Sequence, residues 1–143
     1  MVDFSLVVLV DANGFLLMQE RDEHAPIDPE KWGFCGGSLE PGEDAETAAY
    51  RELAEETGVQ LVEGLIPIDQ YSFIHPQAGN SFRFALFAAA TTLTDADIVC
   101  AEGRRIVFVH PAVAQCLDLS ESARICLAPY LDSDHYRALV GVV

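Results

Sequence analysis

Three glutamates, Glu52, Glu55 and Glu56, are spaced three and four residues apart, so on a helix they share one face. Like charges that close repel one another and weaken the helix unless a cation compensates them. A ligand set made only of oxygens suits a hard cation, Mg²⁺ or Mn²⁺, better than zinc. The plain alternative is a solvated acidic helix face, the commoner meaning of clustered glutamates. The residues around them indicate what positions them. Asp44 is an N-cap residue type and Gly58 a residue type found just past a C-terminus, which predicts a helix over Ala45 to Thr57. Ahead of it, Gly36-Gly37 and Ser38-Leu39-Glu40-Pro41-Gly42 read as a turn. Ala45 and Ala48 lie along one side of the helix, and their small side chains admit a second backbone close by.

The wider spacing is more specific than the three acids. Gly37 is followed after five residues by Glu43, and after seven more by Arg51-Glu52-Leu53-Ala54-Glu55-Glu56-Thr57-Gly58-Val59. This stretch resembles the Nudix box at all nine of its defined positions, including the apolar Leu53 and Val59, and covers about a sixth of the 143 residues. One departure lies just outside the box: family members commonly carry proline where Cys35 stands here. The resemblance implies a Nudix-type α/β/α sandwich, a mixed β-sheet flanked by the box helix and a C-terminal helix, in one domain over residues 1–143. It implies Glu52, Glu55 and Glu56 as metal-facing carboxylates, the Gly36 carbonyl as a further ligand, and Glu52 or Glu55 as the base that takes a proton from water. Arg51 orients Glu52 or bridges to Glu43, tying turn to helix through a bidentate pair. Gly37 and Gly58 are backbone requirements of the box.

Cleaving a diphosphate means bringing water in line with phosphorus while handling the charge on the phosphate oxygens, and a divalent cation on the glutamate face would serve both needs. Outside the box, Glu102 lies just before an apolar run and matches the place from which relatives supply one more carboxylate. The alternative for Glu102 is an exposed loop acid. Trp32 and Phe34 either stack on a base or pack in the core. Arg83, among phenylalanines, either contacts a substrate phosphate or pairs with an acidic neighbour. Arg104 and Arg105 are expected to be solvated. The implied activity is Mg²⁺-dependent hydrolysis of the pyrophosphate linkage in a nucleoside diphosphate joined to another group, such as a nucleoside triphosphate or other small nucleotide. Two alternatives come from the same fold. A non-catalytic nucleotide-sensing module would normally show a degraded box or an attached DNA-binding domain. An isoprenoid-diphosphate isomerase would need a longer chain and a catalytic cysteine in its own motif, a setting Cys35 lacks.

Composition bounds the partners. Half the residues are hydrophobic, 22% are charged, and the formal net charge is -15 with a pI near 4.3. That is a folded globule whose surface repels long nucleic acids and anionic membranes. No apolar run approaches the roughly 18–20 residues that span a bilayer, and Phe4 to Val10 lacks the basic leader of a signal peptide. Cys35, Cys100, Cys116 and Cys126 form no paired motif, which predicts buried reduced thiols and a cytoplasmic protein. His24, His75, His110 and His135 are scattered, and two of them precede proline, as at strand ends and turns. The apolar content and the family's habits are compatible with a homodimer.

The remaining elements frame the box. Phe4 to Val10 is a buried strand, with Phe15 to Glu20 returning as its partner after a turn at Asp11–Gly14. Residues 21–31, with two prolines, are a loop. Leu61 to Ile74 is strand-like and broken at Pro67, and Ser81 to Ala90 is a strand with Phe82, Phe84 and Leu86 on one face. Residues 76–80 form the hairpin loop between them. A long acidic connection, Thr91 to Gly103, leads to a strand over Arg104 to His110. Ser120 opens a helix to Leu131 that Pro129 shortens or kinks, and a short helical piece starts at Asp134.

Overall fold

The computed structural model describes residues 1–141. Its strands are β1 (Phe4–Val10), β2 (Leu16–Glu20), β3 (Trp32–Gly33), β4 (Cys35–Ser38), β5 (Ile66–Ile74), β6 (Ser81–Ala90) and β7 (Arg105–Val109). Its helices are α1 (Ala45–Thr57), α2 (Pro111–Ala114), α3 (Glu121–Leu131) and α4 (Asp134–Leu139). The strands form one mixed sheet in the order β3-β2-β1-β6-β5, with β4 also against β1 and β7 against β2. β1 and β6 run parallel, and the other pairs are antiparallel. The flanked mixed sheet is the architecture that the sequence implies.

β1 is apolar along its length because both of its faces are covered. Leu6, Val8 and Val10 face a cluster with Leu16, Met18, Phe84, Leu86 and the α3 residues Cys126, Leu127 and Tyr130. Val7 and Leu9 face the other cluster, with Leu17, Phe87 and the α1 residues Ala49 and Leu53. α1 approaches closely because Ala48 and Ala49 are fully buried and because Ser5 donates its hydroxyl to the Ala45 carbonyl at 2.7 Å.

The expected β1–β2 hairpin forms only at its base. Val10 pairs with Leu16, after which the strands part and β4 takes the vacated edge of β1 from Phe4 to Val7. Gly36, Gly37 and Ser38, expected in the turn, therefore lie in a strand, and glycine permits this: a Cβ on Gly36, whose φ is +148°, would lie 2.0 Å from the Ser5 carbonyl oxygen. β5 is continuous through Pro67, with an irregularity between Pro67 and Asp69 where the break was expected. α2 was not foreseen; His110 caps it by accepting from the Ala112 amide, and Pro111 opens it. Pro129 falls in the last turn of α3, where it removes one amide donor from the helix without ending it, and the helix reaches Leu131. Two of the four cysteines depart from expectation. Cys35 and Cys126 are buried, but Cys100 and Cys116 are exposed, and all four are free thiols. Among the described residues no helix is long and apolar enough to cross a membrane.

Candidate active site

α1 has the bounds and caps that its sequence predicts. Asp44 accepts from the Thr47 amide at 2.7 Å. Gly58, at φ 76°, closes the helix by donating its amide to the Ala54 carbonyl. The turn before α1 is bound to it through Arg51. Its Nε and Nη2 grip both carboxylate oxygens of Glu43, each at 2.8 Å. Nη1 donates to Glu52 at 2.9 Å and to Glu55 at 3.2 Å, and Nη2 also reaches the Ser38 carbonyl at 3.0 Å. Both contacts foreseen for Arg51, to Glu52 and to Glu43, are therefore present at once. The Arg51 hydrogen bonds hold the Glu43 carboxyl down to about 2, and in return push the guanidinium's own pKa up.

The three box glutamates meet different surroundings. Glu56 is 2% exposed and accepts from the Gly36 amide at 2.8 Å. Burial pushes its carboxyl up to about 8, the charges of Glu102 and Glu52 add to this, and the Gly36 amide opposes it. Glu52 lies against the backbone of Gly37, where an added Cβ would sit 2.5 Å from the carboxyl carbon. Burial raises its pKa too, against the pull of Arg51. Glu55 is the outer member, its side chain 58% exposed.

Glu102 comes to the same place from far along the chain. The segment before it crosses the end of α1, with Val99 donating to the Thr57 carbonyl and Ala101 to the Glu56 carbonyl, both at 2.9 Å. Buried Gln19 fixes Glu102 from the other side, its amide reaching the Glu102 carbonyl at 2.8 Å. Glu102 and the β4 residues Gly36 and Gly37 line one part of a cavity of about 450 Å³, which Phe4, Phe73 and Phe82 also line. Loop 21–31 contributes Arg21, Pro26 and Ile27 to the lining.

Not every residue singled out in the sequence joins this assembly. Trp32 and Phe34 pack into the α3-side core, 8% and 2% exposed, and do not line the cavity. The Arg105 guanidinium lies 4.9 Å from the centre of the Trp32 ring, and Arg104 pairs with Glu23 and Glu30, so neither arginine is merely solvated. Arg83 alternates with Phe82 and Phe84 along β6 and so points away from the face they share, outside the cavity lining. Conversely, sequence reasoning missed Gln19 and Asp28, and read His75 only as a residue at a strand end or turn. Asp28 and His75 are buried in the cavity wall, paired at 2.9 Å. Burial alone would raise the Asp28 carboxyl, but the Glu121 amide and His75 outweigh it and hold it low. The one available signal was His75-Pro76 at a strand end.

Among the described residues no three acidic, histidine or cysteine side chains already enclose a common point as a metal cage would. The donor chemistry nevertheless fits a hard cation. Among the described residues no basic side chain lies within ion-pair distance of the buried Glu56 carboxylate, and the charges of Glu102 and Glu52 add to the effect of burial on its pKa. A cation would relieve all three at once.

The NUDIX domain family profile matches residues 2–125. Over 57 residues the chain is 49% identical to an RNA pyrophosphohydrolase of Caulobacter vibrioides, covering 40% of this chain and 32% of that one. Over 54 residues it is 37% identical to the nucleoside triphosphatase NudI of Salmonella agona, 38% of each chain. The matched stretches thus span about a third of these curated relatives. Its fold is similar to that of a MutT protein from Methanosarcina mazei Go1 (TM-score 0.73, 19% identity, 90% of this chain and 91% of that one). It is also similar to the E. coli dihydroneopterin triphosphate pyrophosphohydrolase (TM-score 0.71, 27% identity, 89% and 92%). The profile extends far beyond the box, through the sheet and into α3, and on that breadth the chain belongs to the Nudix hydrolase family.

Proposed function

We propose that the protein is a hydrolase, dependent on Mg²⁺ or Mn²⁺, that cleaves the pyrophosphate linkage of a small nucleotide. The observation that carries this is the meeting of Glu102 with Gly36 and Gly37 of β4, and so with Glu56 and Glu52, at a cavity whose remaining lining includes three phenylalanines. A volume of about 450 Å³ falls in the range of small-molecule sites. The relatives named above as a pyrophosphohydrolase and a nucleoside triphosphatase support the reaction class. The net charge of -15 supports small nucleotides over long polynucleotides.

Glu52, Glu56 and Glu102 would hold the cation, with the Gly36 carbonyl beside them and Glu55 at the solvent side. When bound, the ion supplies charge neutralisation of the diphosphate and a lowered pKa for coordinated water. Glu52 is favoured over Glu55 as the proton-accepting carboxylate, because it is held against Gly37 by the Arg51 hydrogen bond, while Glu55 is largely exposed. Arg51 keeps Glu52 in one orientation by donating to it from a guanidinium already locked on Glu43. The phenylalanine wall would take the base and shield the reacting end from bulk water.

The test is product release from a panel of nucleoside triphosphates, oxidised nucleotides, ADP-ribose, nucleotide sugars, dinucleoside polyphosphates and a 5′-triphosphorylated oligoribonucleotide. Each is assayed with Mg²⁺, with chelator, and with Glu56→Gln protein. Turnover of a small nucleotide that needs metal and collapses in the variant supports the proposal. Turnover of the oligoribonucleotide alone would overturn the substrate class. Nucleotide binding without turnover would make the protein a sensing module.

A further inference from the structure

The part of the cavity wall formed by loop 21–31 is held by a buried polar linkage that the chemistry above does not use. Asp28 and His75 are 8% and 4% exposed. His75 Nδ1 accepts from the amides of Gln77 and Ala78 at 3.2 and 3.0 Å, so that nitrogen carries no proton. The ring proton is then on Nε2, which donates to Asp28 Oδ1 at 2.9 Å. The other Asp28 oxygen accepts from the amide of Glu121, the first residue of α3, at 2.9 Å. One side chain thus joins the loop to the β5–β6 turn and to the start of α3. The loop backbone at Asp28 has φ 51°, an uncommon conformation for a residue other than glycine that needs surrounding contacts to persist. Immediately before it, Pro26 and Ile27 line the cavity that Phe4, Phe73 and Phe82 also line. The Ile27 carbonyl is held in turn by Arg21 at 2.8 Å.

We propose that Asp28 and His75 are positioning residues that set the slot for the nucleobase, holding Pro26 and Ile27 in place relative to the phenylalanine wall. The ligand class is a planar aromatic ring gripped by apolar surface. This rests on the cavity being the nucleotide site. Neither residue contacts the box glutamates, so their contribution is to uniform binding of substrate and transition state, which is expressed in KM and not in kcat.

The experiment compares wild type with His75→Ala, His75→Gln and Asp28→Asn. Asparagine tolerates the positive φ of position 28 but presents an NH2 in place of one of the two oxygens that separately accept from the Glu121 amide and the His75 ring. Glutamine at 75 extends an amide donor toward Asp28. Two quantities are read: hydrogen exchange of amides 22–31 in nucleotide-free protein, and KM and kcat on the substrate that the panel identifies. The expected result is faster exchange confined to that loop in His75→Ala and Asp28→Asn. With it, KM rises about tenfold while kcat stays within about twofold, and His75→Gln lies near wild type. Unchanged loop exchange overturns the linkage whether or not any nucleotide is hydrolysed. Faster exchange with unchanged KM overturns its role in gripping the base, as does an equal fall in kcat. If wild type hydrolyses nothing, the activity proposal fails by itself, and the dissociation constant for ATP replaces KM as the readout of grip.

Discussion

The carboxylate of Glu56 accepts a hydrogen bond from the amide of Gly36 at 2.8 Å, and among the described residues no basic side chain lies within ion-pair distance of it. The Gly36 dipole and a weaker pull from Arg21 compensate it, but burial outweighs both and pushes its carboxyl from an ordinary 4.5 up to about 8. In metal-free protein the folded chain keeps a proton that the unfolded chain releases above its ordinary carboxyl range. The folded pKa is the higher one, so this contribution to stability is complete below about 4.5 and is lost as pH rises through about 8. Melting temperature measured in chelator should therefore fall between pH 5 and pH 8.5, on the order of a few degrees. Glu56→Gln, which still accepts from Gly36, should flatten that slope, and saturating Mg²⁺ should flatten it in wild type. A slope that survives in the variant would place its origin elsewhere.

Two adjacent glycines should fail in different ways. Gly36→Ala drives a Cβ to 2.0 Å from the Ser5 carbonyl oxygen, a backbone atom of the central strand. It should destabilise the fold by about 3 kcal/mol or more. Gly37→Ala instead meets the Glu52 carboxyl carbon at 2.5 Å, the end of a side chain that can move. Here the fold should persist while activity drops about 100-fold, the scale expected when a reacting group is displaced by about 1 Å. Parallel urea melts and rate measurements on the two variants check this. Equal loss of stability in both would remove the distinction.

What the sequence made legible was local. α1 has the expected bounds because its caps, Asp44 and Gly58, and its acidic face are all contained within fifteen residues. β6 likewise follows its own pattern of phenylalanine and alanine. The residues left open between two readings are those whose direction depends on a distant partner. Trp32 and Phe34 face α3 because β3 pairs with β2 and because Trp32 exchanges backbone hydrogen bonds with Asp118 and Ser120. Arg83 lies outside the cavity because the register of β6 on β1 assigns Phe82 and Phe84 to the opposite face. The Asp28–His75 pair spans 47 residues, and no local signal in a proline-containing loop announces such a contact.

Arg51 links acid tolerance to the box. Its hydrogen bonds hold Glu43 down to about 2, so this pair supports the folded turn fully above the ordinary carboxyl range, near 4.5. The support is lost only as pH falls toward 2. Lysine offers a point charge in place of the planar fork and cannot grip both Glu43 oxygens while also reaching Glu52. Arg51→Lys should therefore move the acid unfolding midpoint, followed by circular dichroism, to higher pH. It should also cost roughly 10- to 100-fold in activity through a loosened Glu52. An unchanged acid midpoint would mean that the Glu43 pair does not support the turn.

Gln19 offers a way to disturb the accessory carboxylate without touching any carboxylate. Its amide at 2.8 Å is the sheet's hold on the Glu102 carbonyl, while the Val99 and Ala101 amides hold the same segment to the end of α1. Gln19→Leu keeps the apolar bulk of a buried position in β2 and deletes only that donor. With one of its anchors gone, the segment keeps its dock on the helix and the Arg104 amide on the Glu20 carbonyl, but Glu102 is held less firmly relative to Glu56 and Glu52. Outer contacts that orient a ligand typically matter to metal affinity by about tenfold or more, so Mn²⁺ should bind roughly tenfold more weakly, read by electron paramagnetic resonance titration of the nucleotide-free protein. Glu102→Gln should weaken Mn²⁺ binding in the same assay, and the double variant should add little to the stronger single effect, because both act through one carboxylate. Additive losses would mean that Gln19 acts on the site by a route other than Glu102.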